Sequence, residues 1–168
     1  MEKETAPPDA PKANAMKYLT VQDMLWINLQ VTKKVQHFNF AKLEEATFYQ
    51  YGYGASRDIP LQAGRFLSGF MKLHPFDAGN EGTALLGCGA FLLLNGLKLD
   101  VSDSEAFDWL EKVRSKSVRA EEALPASQDE DAHDTNLSNV RDAVRLVMEE
   151  FAGTLQAINE GSERRAAS

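Results

Sequence analysis

The sequence predicts a mostly α protein, a helical bundle packed around one central buried helix. Three observations predict it. Apolar residues recur at helical spacing in five separate stretches, most of them preceded by a capping residue. A further stretch, Asn80 to Asn95, is apolar on every side, as a helix surrounded by others must be. No run alternates apolar and polar residues as a half-exposed strand does, no strong hairpin signal occurs, and no period repeats.

Thr20, with Asp23 three residues on, has the form of a capping box and opens a helix from Thr20 to Val35. Val21, Met24, Ile27, Val31 and Val35 form its stripe. Asn39 can cap a second helix carrying Phe40, Leu43, Ala46 and Phe48 or Tyr49, which ends in Tyr51-Gly52-Tyr53-Gly54. Asp58, Ile59 and Pro60 start a third, with the proline near the first turn, where its missing N–H costs nothing. Its stripe is Ala63, Phe66, Leu67 and Phe70, and it ends around Leu73.

The short segment His74 to Gly79 leads into the central helix. There Gly87 and Gly89 are each unfavourable by about 1 kcal/mol relative to Ala. A neighbouring helix packing closely at those positions explains them. Gly96 ends this helix in the C′ role, and Leu97 to Val101 reads as a short extended piece. Ser102 and Glu105 have capping-box spacing ahead of Ala106, Phe107, Leu110 and Val113. Last, Val140, Ala143, Val144, Val147, Met148, Phe151, Leu155 and Ile158 predict one long amphipathic helix ending before Gly161.

Residues 1–15, rich in Pro and Ala and without an aromatic, read as a disordered tail. The helical core spans 16–117, an acidic linker or insertion 118–136, a bundle-completing helix 137–160, and a frayed tail 161–168. The net charge is −7, and Glu121, Glu122, Asp129, Glu130, Asp131 and Asp134 carry much of it in the linker. With no basic run, this composition excludes nucleic acid as the expected partner. The apolar run Ala84 to Leu94 is far short of the ~20 residues a membrane span needs, so no membrane is expected. No signal peptide is visible, and Cys88, alone in an apolar run, reads as a buried small hydrophobe. A cytoplasmic location fits. His37 and His133 lie near no carboxylate or thiol at metal-ligand spacing.

One segment has the makings of a site. A histidine, His74, ends one helix, and a wholly buried helix begins a few residues later at Gly79-Asn80. A helix N-terminus offers unpaired N–H groups and partial positive charge, and a glycine beside it lets an anion approach the backbone. An imidazole beside such a site can act as general base. The alternative is a polar residue at a helix end, satisfied by carbonyls.

The run His74-Pro75-Phe76-Asp77-Ala78-Gly79-Asn80-Glu81-Gly82 resembles the Fic motif, His-Pro-Phe-x-(Asp/Glu)-Gly-Asn-x-Arg. The following Thr83-Ala84-Leu85, and Tyr18-Leu19-Thr20 upstream, look like the Doc branch of that family, and the similarity covers roughly Tyr18 to Val113. The resemblance implies a Fic/Doc-like bundle that transfers AMP from ATP, or a phosphate, to protein hydroxyls, with an antitoxin partner in the Doc branch. It assigns His74 as the catalytic base. Pro75 and Phe76 become loop anchors, and Gly79, Asn80, Glu81 and Gly82 the nucleotide- or phosphate-binding positions.

Two departures qualify it. Ala78 stands where the motif's metal-binding acid belongs, and a methyl group cannot hold Mg²⁺. Gly82 stands where the phosphate-clamping arginine belongs. Asp77, one residue early, is a poor substitute ligand and better suited to cap the helix or face its dipole. Glu81 adds a negative charge that opposes a triphosphate. The expectation is therefore a degenerate domain, with ATP or another nucleotide as ligand, Mg²⁺ weak or absent, and transfer lost or much reduced.

Restoring Ala78→Asp and Gly82→Arg is expected to raise nucleotide binding. A protein target or antitoxin-like partner, or a homo-oligomer, remains open. So do an active transferase using His74 and a purely structural helical module. Tyr49, Tyr51 and Tyr53 fit either a partner-docking loop or a helix end with partly buried rings. Gln156 to Gly161 is a weak match to the family's inhibitory pattern and reads as the last helix running out.

Overall fold

Thr20 and Asp23 close the expected capping box. The Thr20 hydroxyl accepts from the Asp23 amide at 3.1 Å, and the Asp23 carboxylate accepts from the Thr20 amide at 2.8 Å. The computed structural model describes residues 16–51, 58–120, 124–129 and 139–167, with 162–167 known by backbone alone. The expected tail over 1–15, the glycines Gly52 and Gly54, His133 and most of the acidic stretch lie outside the described residues.

The protein is a mostly α bundle, with seven helices and one two-stranded sheet among the described residues. The first helix, α1 (Val21–Thr32), stops three residues before the predicted Val35. Lys33 swings to φ 67° and donates its amide to the Leu29 carbonyl, and the Thr32 hydroxyl donates to the Lys34 carbonyl. Val35 therefore leaves the stripe and is 84 % exposed.

The second helix, α2 (Phe40–Phe48), is capped by Asn39 as expected, Oδ1 accepting from the Lys42 amide. Its covered stripe is Leu43, Ala46 and Thr47. Phe40, expected in that stripe, is 57 % exposed. Of the two alternatives for its last position, Phe48 is 43 % exposed, five residues on from Leu43 and facing the other side of the helix, while Tyr49 packs against Gly69.

Asp58 caps α3 (Ile59–Leu73), and Ala63, Phe66, Leu67 and Phe70 are fully buried, as their spacing predicts. The central helix, α4 (Asn80–Leu94), has α1, α3 and α6 (Val140–Glu150) packed directly on it. The glycines mark the closest approaches. A Cβ on Gly87 would stand 2.8 Å from the Phe66 ring and 2.9 Å from Met24 Cε, and one on Gly89 2.8 Å from Val147 Cγ1.

After Gly96, at φ +89°, β1 (Leu97–Leu99) pairs antiparallel with β2 (Ala126–Gln128). The region expected to be linker thus carries a strand, and Ala120 ahead of it is fully buried. A strand of Ala-Ser-Gln shows no alternation to read; its partner strand supplies the reason to extend.

The helix α5 (Asp103–Arg114) buries Ala106, Leu110 and Val113. Its expected capping box does not form: the Ser102 hydroxyl bonds the Glu105 carboxylate at 3.0 Å and caps no amide.

The predicted last helix is two. It breaks at Phe151, and α7 (Ala152–Ala167) then continues past Gly161. Asp103 drives the break. Its carboxylate accepts from the Gly153 amide at 2.9 Å, the Thr154 amide at 2.7 Å and the Thr154 hydroxyl at 2.6 Å, capping α7 from another helix. Among the described residues no helix is long and apolar enough to cross a membrane.

Candidate functional site

His74 terminates α3 in the left-handed region, φ 48° and ψ 61°, with its amide donating to the Phe70 carbonyl at 3.2 Å. That conformation costs a non-glycine residue on the order of 1 kcal/mol. It turns the chain sharply and leaves the side chain exposed.

Three sets of contacts hold the loop that follows. Phe76 is 4 % exposed, with its ring 5.9 Å from that of Phe38 and 6.3 Å from that of Phe70. From outside, residues 37–39 run antiparallel to it: the Asn39 amide donates to the Pro75 carbonyl at 2.9 Å and the Asp77 amide to the His37 carbonyl at 3.0 Å. From inside, Asn80 Oδ1 accepts from the Phe76 amide at 2.9 Å, and Asn80 Nδ2 donates to the Phe76 carbonyl at 2.7 Å. Asn80 Nδ2 also stands 3.5 Å from His74 Nδ1, so histidine, loop and helix start are one unit.

The start of α4 is built on α1. Gly79, at φ +81°, leaves no room for a Cβ, which would collide with Thr32. Asn28 Nδ2 donates to the Ala78 carbonyl at 2.9 Å and to the Thr83 hydroxyl at 3.1 Å. Reading the sequence missed Asn28; the available signal was an asparagine beside Met24, Ile27 and Val31 on the buried face of its helix.

Gly79, Asn80, Glu81 and Gly82 come together there in different ways. The amide end of α4 borders a cleft, but the Asn80 side chain is committed to the loop. Gly82 is buried, and a Cβ on it would stand 2.9 Å from Val31 Cγ1 and 3.4 Å from Leu155 Cδ2. The Glu81 carboxylate lies 3.4 Å from Arg114 Nε. Arg114 is also bonded to Glu111, whose hydrogen bond, with a smaller contribution from Glu81, raises the guanidinium pKa further.

The cleft at this end of the molecule has a volume of about 1620 Å³. Among the described residues, His74 lies on its lining with Lys33, Lys34, Arg65, Lys72, Arg114, Lys116 and Arg119, seven cations against two carboxylates, Asp77 and Glu81. In a chain of net charge −7 this is a marked separation of sign. The cations come from the end of α1, from α3, and from the end of α5 and the turn after it, so no basic run announces them in the sequence.

The residues present do not fit the divalent metal that the resemblance implies. Ala78 offers no oxygen but its carbonyl, which accepts from Asn28, and Glu81 is paired with Arg114. Among the described residues no three His, Cys, Asp or Glu side chains gather as a metal site. Nor does Asp77 cap α4, because the N-cap is Gly79 and no side chain bonds there.

Tyr49 lies with its ring against Gly69, and the Tyr51 ring meets that of Tyr18 at 4.3 Å, tilted by 32°, the arrangement of a helix end with partly buried rings. Tyr53 is outside the described residues. On α7, Gln156 donates to Glu160 at 3.2 Å, while Gln156 and Asn159 border the cleft. Compared with protein-family models, with curated proteins and with solved structures, the chain matches none.

Proposed function

We propose that this protein is a degenerate Fic/Doc-type domain that binds a nucleotide or another phosphate-bearing ligand in the cleft, with transfer to protein hydroxyls lost or much reduced. One observation carries the reading: seven Lys and Arg residues line the cleft that the amide end of the central helix borders, and the His74 imidazole lines it too. Charge-assisted hydrogen bonds and an oriented helix end are what phosphate oxygens need. Transfer asks for more. The negative charge that develops on a phosphoryl group must be neutralised in place. The motif's acid and arginine are absent, and Glu81 sits in the first turn of the helix. His74 keeps an exposed imidazole, and among the described residues no group of His, Cys, Asp or Glu beside it would hold a metal to polarise the phosphate.

The test is a thermal-shift and calorimetric titration of the full chain with ATP, AMP and adenosine at low and high salt. Binding of ATP and AMP that weakens with salt, with adenosine much poorer, supports the reading. No response to either phosphate ester removes it. Labelled ATP in the same sample, compared with His74→Ala, distinguishes an active transferase, which would label protein only when His74 is present.

A specific observation also supports a protein partner. Val35, Phe38 and Phe40 are 84 %, 40 % and 57 % exposed, on the segment that brackets the His74 loop. Large apolar side chains grouped on the surface mark contact sites more often than chance. An antitoxin-like or target protein seated there would lie beside the loop.

A further inference from the structure

We infer that Arg114 grips the ligand's anionic group in this cleft, through the two terminal nitrogens of its guanidinium; the inference rests on the anion-binding reading above. The starting point is Gly82. Its Cα lies under Val31 and Leu155, and even a Cβ there must displace Val31. A side chain at 82 therefore starts inside the core, and a cation beside the first turn of α4 is supplied from another element.

Arg114 brings it. It is the last residue of α5, next to Val113, which is 5 % exposed and fixes the backbone in the core. Its Nε stands 3.4 Å from the carboxylate of Glu81, in the first turn of α4, and Glu111 bonds the same nitrogen. Both carboxylates therefore approach the guanidinium at Nε. Among the described residues, Nη1 and Nη2 make no hydrogen bond. A guanidinium held by Nε keeps its end-on pair of donors, the geometry that takes two oxygens of a phosphate or carboxylate at once. The Arg114 side chain is 42 % exposed and the Glu81 side chain 14 %, so the cation is the solvent-facing member of the pair. Glu81 has two opposed effects: it orients Arg114, and it subtracts from the charge the ligand meets.

The experiment is calorimetric titration of the full chain with pyrophosphate and with ATP. The variants are Arg114→Ala, Arg114→Lys, Glu81→Gln and, as a control on β1 outside the cleft, Lys98→Ala. Loss of a charged two-point contact should weaken both ligands roughly 10- to 100-fold in Arg114→Ala. Arg114→Lys keeps the charge and the pairing with Glu81 and Glu111 but not the fork. It should melt like the parent and still bind nearly as poorly as the alanine variant. Glu81→Gln should tighten binding by roughly 2- to 5-fold. Lys98→Ala should change nothing.

Parent-like affinity in Arg114→Lys overturns the inference, and decides the matter if Arg114→Ala does not fold. So does unchanged affinity in both Arg114 variants while Lys33→Ala and Lys34→Ala weaken binding, a result that leaves the anion-binding reading standing. Absence of binding in the parent removes both.

Discussion

The side-chain amide of Asn80 closes on both backbone polar groups of Phe76, accepting from the N–H at 2.9 Å and donating to the C=O at 2.7 Å. One residue of the central helix thereby fixes the shape of the loop that carries His74. A motif position that the resemblance gives to phosphate binding is here a structural clasp.

Asn80→Ala leaves two buried backbone groups without partners, and we expect a loss of about 2–3 kcal/mol in urea unfolding. Asn80→Asp keeps the acceptor but sets a carboxylate against the Phe76 carbonyl, and should be nearly as harmful. A variant with parental stability would show that the loop holds its shape through Phe76 packing and the Phe38 segment alone.

Asp103 links stability to pH. The Thr154 hydroxyl bond first, and then the amides of Thr154 and Gly153, hold its carboxyl below the ordinary value of 3.8. An acid bound more weakly to its proton in the native state adds stability above the unfolded-state pKa, and that contribution is lost as pH falls through the lower native value. Asp103→Asn keeps one accepting oxygen but sets an NH2 group against one of the two backbone amides that the carboxylate oxygens now satisfy. It should cost about 1–2 kcal/mol at neutral pH and less as pH falls below the carboxyl's ordinary value. Unfolding free energies of the two proteins, measured from about pH 2 to 6, should converge at the acid end. Parallel curves would refute the assignment.

Gly82 tests the packing at the head of α4. Gly82→Ala pushes a methyl toward Val31 and should destabilise by about 1–3 kcal/mol. Pairing it with Val31→Ala should recover part of the loss. Gly82→Arg should be worse than Gly82→Ala in thermal melts and should not raise phosphate affinity, because the added side chain begins inside the core. A stable, tighter-binding Gly82→Arg protein would place the pocket elsewhere than described.

Cys88 is fully buried in α4, and desolvation pushes its thiol up to about 12. The native protein should resist a thiol reagent at pH 8 and react fully in denaturant. Because the native state keeps this proton where the unfolded chain releases it, Cys88 should subtract stability as pH rises above about 9. Cys88→Ala should lessen that alkaline loss.

Helix positions and caps were legible where the cause is local. Thr20, Asn39 and Asp58 each cap the helix they precede, and the stripe from Ala63 to Phe70 is buried as its spacing requires. Helix ends were less legible. The stripe from Val140 to Ile158 is continuous in sequence, yet the helix breaks at Phe151 because Asp103 caps a new start from far along the chain. Likewise Val35 keeps the period of α1 but falls outside it, since the Lys33 turn ends the helix first.

The sequence by itself determined the class of fold and the place of the central helix, because periodicity and caps act over a few residues and a helix apolar on all sides must be enclosed. It also placed His74 at a helix end, next to the start of that helix. Only the tertiary structure decided what surrounds the pair. The charges of Lys33, Arg65, Arg114 and Arg119 are scattered along the chain, and packing brings them to one cleft. The room at Gly82 depends on Val31 and Leu155, which lie far from it in sequence. Local rules cannot foresee either result, since both depend on which elements become neighbours in space.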